Sequence, residues 1–337
     1  SRAQTTDSAA APDAAQAASG KPEANDPIAR IRDEGIERSQ VMTTLSYLTD
    51  VIGPRLTGSP GLRRASEWSR DQLTRWGLAN AQLEPWGPFG RGWTLRRFSA
   101  QVVAPQSIPL IAYPKAWSPS VGPKPLEAEV VHVDIKKTED FEKFRGKLRG
   151  KIVLDGPERE IKVRFESPAV RHTDASLLAL ANSDGSAATT QVSSTAASSV
   201  STPEQRAALA LLPRRYQFYS EEGVAVILQP SRIGEAGTLF TSAATVYPPR
   251  SADPKKGKGE LASPGAKGKT ATPVRNVSPW RMDAPRIVPQ LNVAAEHYNR
   301  LVRMLEQGEK LRLAVELQAD YHTQDLMEAN VVAEIPG

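Results

Sequence analysis

Leu45-Ser46-Tyr47-Leu48-Thr49-Asp50-Val51-Ile52-Gly53-Pro54-Arg55-Leu56-Thr57-Gly58-Ser59 is the stretch on which the reading of this chain turns. Its first half completes an interrupted apolar stripe of Ile28, Ile31, Ile36, Leu45 and Leu48. That stripe predicts a helix with Asp26 as N-cap and Pro27 in the first turn, bent or split at Gly35. Its second half, Gly53 to Ser59, reads as a tight, irregular loop. Ser59 then caps a second helix with Pro60 in its first turn. Leu62, Ala65, Leu73 and Trp76 fall near one face, and Gly77 closes the helix.

Downstream, Gln82 to Trp86 and Trp93 to Ala104 read as strands, and prolines crowd the stretch from Pro105 to Pro125, as at a crossing between domains. Glu129 to Ile135 is a strand, Thr138 caps a short helix carrying Phe141, Phe144 and Leu148, and Lys151 to Leu154 is a brief buried strand. Thr202-Pro203-Glu204-Gln205 is a capping-box pattern that opens a short helix ending at Leu212, and Gly223 precedes a strand from Val224 to Leu228. Tyr298, Leu301 and Leu305 line a helix closed by Gly308. Leu311, Leu313, Val315, Leu317 and Ala319 then alternate with other residues as in a half-buried strand, and Asn330 to Ile335 forms another.

The 337 residues suffice for two domains, but apolar residues make up only 39% and prolines number 27, a balance that implies folded domains interrupted by polar segments. Ser1 to Asp26 holds no large apolar side chain and is expected to be a disordered leader, left by removal of an export signal. Flexible insertions are expected at 181–201, a Ser/Ala/Thr tract, and at 251–272. No apolar run reaches the roughly 18 to 20 residues of a membrane span. With no cysteine, disulfides and thiolate chemistry are excluded. The net charge of +5 is spread through the chain except between Lys255 and Lys269, whose glycines and prolines suit a solvated loop better than a nucleic-acid surface.

Catalytic motifs are missing. There is no Gly-x-Ser-x-Gly and no His-Glu-x-x-His, and Ser59 is accounted for by helix capping. Gly265-Ala266-Lys267-Gly268-Lys269-Thr270 imitates the tail of a phosphate loop, but Ser263 stands where the pattern needs glycine. The histidines, His132, His172, His297 and His322, show no short metal-ligand spacing, and no carboxylate pair stands out.

Three segments in order resemble zinc-dependent exopeptidases of the aminopeptidase and carboxypeptidase Q type. The first is Leu45 to Ser59, with Gly-Pro-Arg-Leu-x-Gly-Ser at its centre, continuing through Arg70-Asp71-Gln72-Leu73 to Trp76-Gly77-Leu78. The second, Phe144 to Leu154 with Gly150-Lys151-Ile152-Val153-Leu154, is similar to a protease-associated domain, as is Glu222 to Leu228. The third is Gly308 to Ala319 followed by Glu328 to Gly337. The resemblance implies an α/β fold in which a protease-associated domain, a mixed sheet with short helices at 105–290, is inserted into an incomplete α/β zinc-exopeptidase domain. The first part of that domain would be 27–104, and 291–337 would carry the end of the insertion and the return strand. It also implies two zinc ions in the full-length protein, a peptide substrate, and secretion or a periplasmic location. The family's metal ligands and general base have no matching positions in 1–337. No catalytic, cofactor-binding or metal-ligating residue is therefore assigned, and the chain would need the missing C-terminal part of its catalytic domain. Two other readings stay open: a non-catalytic protease-associated module that binds peptides or proteins, and a polyanion binder using Lys255 to Lys269.

Overall fold

The computed structural model describes residues 26–161, 165, 169, 171–183, 203–248 and 276–335. The expected leader before Asp26, the tract at 184–201 and the lysine-rich 251–272 lie outside the described residues. The chain divides into two compact units, one ending at Pro54 and the other beginning at Arg55.

In the first unit, α1 (Pro27–Arg32) and α2 (Val41–Ser46) each run into a wider turn, Asp33–Glu37 and Tyr47–Ile52. These turns are closed by bonds five residues apart, from Arg38 N to the Asp33 carbonyl (3.0 Å) and from Gly53 N to the Leu48 carbonyl (3.2 Å). Asp26 caps α1 by accepting from Ile28 N at 3.0 Å, and Gly35 lies in the first wide turn. Ile28, Ile31, Ile36, Val41 and Met42 remain exposed.

The second unit contains helices α3 (Pro60–Arg75), α4 (Asp140–Phe144), α5 (Asp174–Ala181), α6 (Pro203–Glu222) and α7 (Ala295–Glu306). Its strands are β1 (Ala79–Trp86), β2 (Gly92–Ala104), β3 (Ile108–Pro109), β4 (Ala112–Pro114), β5 (Leu126–Val133), β6 (Ile152–Asp155), β7 (Val226–Pro230), β8 (Gln290–Val293), β9 (Arg312–His322) and β10 (Glu328–Glu334). None of the described helices is long and apolar enough to cross a membrane.

Eight strands form a mixed sheet in the order β3-β2-β9-β5-β6-β7-β8-β4. β5, β6, β7 and β8 run parallel, while β9, β2, β3 and β4 are joined antiparallel to their neighbours. β3 and β4 lie at opposite ends of that order yet are adjacent in sequence, so the sheet must curl. The core shows the same thing: Val102 and Ile108 from one end share a buried cluster with Leu291 and Val293 from the other. α7 fills this inner face with Tyr298, Leu301 and Val302, all at 0% exposure, so its apolar stripe does what its 3.6-residue period predicts. The opposite face carries α4 and α6 against Val133, Val153 and Ile227. β2, which precedes the expected boundary at 104, is a member of this sheet.

Two elements differ from expectation. The helix expected to end at Leu212 continues through Pro213 to Glu222. An interior proline costs about 3 kcal/mol. Leu211, Tyr216, Phe218 and Tyr219 are buried along this helix, and each such side chain contributes about 1.5–3 kcal/mol, so tertiary packing wins. Leu148, expected on the helix with Phe141 and Phe144, lies beyond its end because the chain turns at Gly146 (φ 73°). Leu148 is buried there nonetheless.

A smaller layer sits beside the sheet. β1 and β10 pair antiparallel, with Leu83 opposite Val331, and α3 packs on them. Ser59 caps α3, its hydroxyl accepting from Leu62 N at 3.2 Å.

Candidate functional site

The loop between Arg55 and Ser59 meets the start of β2 at bare backbone. A Cβ on Gly92 would lie 1.7 Å from the Gly58 carbonyl oxygen, and one on Gly58 (φ 80°) would lie 2.7 Å from the Gly92 Cα. Only two facing glycines allow that approach. The Gly58 backbone also hydrogen-bonds the Glu328 carboxylate at the start of β10, and burial holds that carboxyl above its usual range. Arg63 of α3 pairs with Asp325 just before β10. The small layer is thereby fastened to the large sheet at one corner.

Around that corner lies an aromatic junction. Trp93 and Trp117 are buried with Leu56, Phe89, Trp280 and Tyr321 against them. Phe89 and Trp280 stack at 5.6 Å, and the Arg91 guanidinium lies 4.6 Å over the Tyr321 ring. The indole N–H of Trp117 donates to the Arg91 carbonyl at 2.9 Å, that of Trp93 to the Ser118 carbonyl at 2.9 Å, and the Tyr321 hydroxyl to the Trp117 carbonyl. Trp117 holds φ 64°, a conformation uncommon for a bulky residue.

A second feature is a buried polar network beneath α6. Asp155, at the end of β6, accepts from the Tyr219 hydroxyl at 2.7 Å and from Gln229 Nε2 at 2.6 Å, and faces Arg215 Nε at 3.2 Å. Lys115, only 6% exposed, donates through Nζ to Gln229 Oε1 at 2.5 Å. Burial pushes the Lys115 ammonium down to about 8, opposed by the attraction of Asp155 and reinforced by Arg232 and Arg215. Burial pushes the Tyr216 hydroxyl up to about 12 and that of Tyr219 well above its ordinary value, with Asp155 adding to both. Arg215 Nε is buried and has no hydrogen-bond acceptor aligned with it. A cleft of about 110 Å³ opens alongside, between Tyr216, Thr245, Tyr247, Arg286 and Gln290. Pockets for drug-sized ligands run from about 300 Å³ upward, so this one suits a few waters or the tip of a side chain.

The four histidines are not brought together. His132 on β5 bonds the Gly156 carbonyl at 2.9 Å, and His172 meets the Ser176 hydroxyl at 3.2 Å. His297 on α7 accepts from Ile111 N at 2.9 Å, and His322 at the end of β9 meets the Thr94 hydroxyl at 2.8 Å. Among the described residues, no group of three His, Cys, Asp or Glu could hold a metal ion. The sequence reading passed over Lys115, Asp155, Arg215 and Gln229. The one signal it offered was Asp155 closing the apolar run Ile152-Val153-Leu154, where a charge must find a buried partner.

The architecture is that of a mixed α/β protein with a curled sheet and short helices. No protein-family profile matches the sequence, and a sequence comparison with curated proteins finds no match. Among solved structures it is similar to a Peptidase M28 precursor from Shewanella amazonensis SB2B (15% identity, TM-score 0.47), covering 91% of this chain and 52% of that one. It is also similar to an aminopeptidase from Aneurinibacillus sp. strain AM-1 (15% identity, TM-score 0.38, 89% of this chain and 49% of that one). A third is BSAP, a zinc aminopeptidase from Bacillus subtilis (11% identity, TM-score 0.39, 86% and 45%). The chain spans about half the length of the solved structures it matches.

Proposed function

We propose that this chain is the N-terminal portion of an exported zinc-dependent exopeptidase that removes single residues or dipeptides from peptide ends. In this reading the eight-stranded unit is a protease-associated domain inserted ahead of the hydrolytic centre. The observation that carries it is the small layer. Among the described residues β1 and β10 pair only with each other, and neither strand contains a fully buried residue. A two-stranded sheet alone is marginal in water, and here α3 is the helix packed on it. Further strands added to its open edges would cover Leu83, Val331 and Val332 and extend the layer into a catalytic sheet. The second support is the Gly-Pro-Arg-Leu-x-Gly-Ser segment, whose last glycine is locked against Gly92 where the two layers meet.

The described residues do not fit a two-zinc centre, since no metal-holding group occurs among them and the histidines are engaged singly. No hydrolytic step is assigned to them. Their part in this reading is to hold the inserted domain beside the cleft and bound the approach of the peptide.

The test sets the full-length protein from the same gene beside polypeptide 1–337. Both are assayed with zinc on chromogenic aminoacyl, dipeptidyl and carboxy-terminal substrates, before and after 1,10-phenanthroline. Chelator-sensitive turnover by the full-length protein alone is the expected result. Turnover by 1–337 itself, or by neither protein, overturns the proposal, the latter in favour of a non-catalytic binding module.

A further inference from the structure

Lys115-Ala116-Trp117-Ser118 is a four-residue strap whose ends are anchored in two different interiors. At one end Lys115 Nζ enters the polar network beneath α6, with Gln229 between it and Asp155. At the other, Trp117 and Ser118 enter the aromatic junction, where Trp117 donates to Arg91 and Ser118 accepts from Trp93. The strap itself is a tight turn: Ser118 N donates to the Lys115 carbonyl at 3.0 Å, and Lys115 N to the Gln290 carbonyl at 2.9 Å. Ala116 is bridged on both sides to 242–244, its N–H to the Ser242 carbonyl and its carbonyl to Ala244 N.

We propose that this strap is a pH-responsive coupling device, in which loss of the Lys115 charge repositions Trp117 and so alters the aromatic junction beside the corner where the small layer meets the large sheet. The physical argument begins with Lys115. As an ammonium it is drawn toward Asp155 across the Gln229 amide, which accepts from one and donates to the other. As a neutral amine it keeps a donor for Gln229 but loses that long-range pull, and Asp155 is left to Arg215 as its cationic partner. Little slack separates this event from Trp117. Trp117 holds its positive φ with the Tyr321 hydroxyl on its carbonyl and its own indole N–H on the Arg91 carbonyl. A shift of the turn is therefore passed to the Trp117 indole and to Trp93 and Trp280, which touch the strap.

The charged groups that act on Lys115 are Asp155 on β6, Arg215 on α6 and Arg232 just after β7, while Tyr216 shares its acceptor Gln229 Oε1 and Tyr219 bonds Asp155. The arginines keep their charge and burial pushes both tyrosines up, so a transition near pH 8 belongs to Lys115.

The experiment is ¹⁹F NMR of the 5-fluorotryptophan-labelled chain between pH 7 and 9.5, with Trp93 and Trp117 assigned by Phe substitution. Both resonances are expected to shift with a common midpoint near 8, while Trp68 and Trp76 on α3 and at its end stay still. Lys115→Met is expected to abolish the shift. Should that variant fail to fold, the ¹³Cε resonance of Lys115 in the unsubstituted protein gives its midpoint directly. Flat Trp93 and Trp117 resonances, a shift that survives Lys115→Met, or a midpoint different from that of Lys115 overturns the proposal.

Discussion

Lys115 carries the largest electrostatic liability of any lysine described in this fold, and that liability has a definite sign. Its folded-state value, about 8, lies below the ordinary 10.5, so between these limits the unfolded chain binds more protons than the native one. Stability therefore rises as pH increases from 8 toward 10. Above about 10 the direction reverses, because Tyr216, pushed up to about 12, and Tyr219 hold protons in the fold that the unfolded chain gives up. Urea unfolding at pH 7, 8, 9 and 10 should show the midpoint climbing, and Lys115→Met should flatten the climb. A midpoint that falls over this range would contradict the buried-ammonium description. A steric prediction belongs at the same scale. Gly92→Ala places a methyl 1.7 Å from the Gly58 carbonyl oxygen, so backbone must move on one side or the other. The loss should exceed about 2 kcal/mol, read as a fall in Tm, whereas Gly35→Ala, with open space around it, should change stability far less.

At the scale of elements, the sequence was legible wherever a local rule dominated. Ser59 with Pro60 marked the start of α3, Asp26 with Pro27 that of α1, and the alternation from Leu311 to Ala319 showed β9 as a half-buried strand. It misled where a distant partner overruled a local signal. The helix was expected to end at Leu212, yet it runs on through Pro213, whose nitrogen has no hydrogen to donate to the preceding turn. Phe218 and Tyr219, packed against Val153 and Ile227, carry the helix past it. The polar network escaped for a related reason. Lys115, Asp155, Arg215 and Gln229 come from four separated segments, and nothing in the spacing of one charged residue announces that three others converge on it. The Gly58–Gly92 contact was half legible: the loop was expected to be tight, but only the fold shows what presses against it.

For the whole molecule, the two layers of the second unit differ in how their backbones are protected. β6 and β7 lie between neighbours and hold residues at or near 0% exposure, whereas β1 and β10 hold none that is fully buried. Native-state hydrogen exchange of 1–337 should therefore find the amides of β1 and β10 opening with much lower free energy than those of β6 and β7. Equal protection in both would show that the small layer needs nothing added to it and would remove the main support for an extended catalytic sheet.

The place of β9 has a consequence for how the protein is made. This strand sits between β2 and β5, with Phe98 facing Leu317 and Leu126 facing Val315. On a ribosome, β2 and β5 emerge early and must wait until residues 134–311 have been made before the strand that joins them appears. Until then two apolar ladders stand open to water and to neighbouring nascent chains. Slowed translation or a holding chaperone over that interval should raise the yield of correctly assembled protein more than any change to the finished surface.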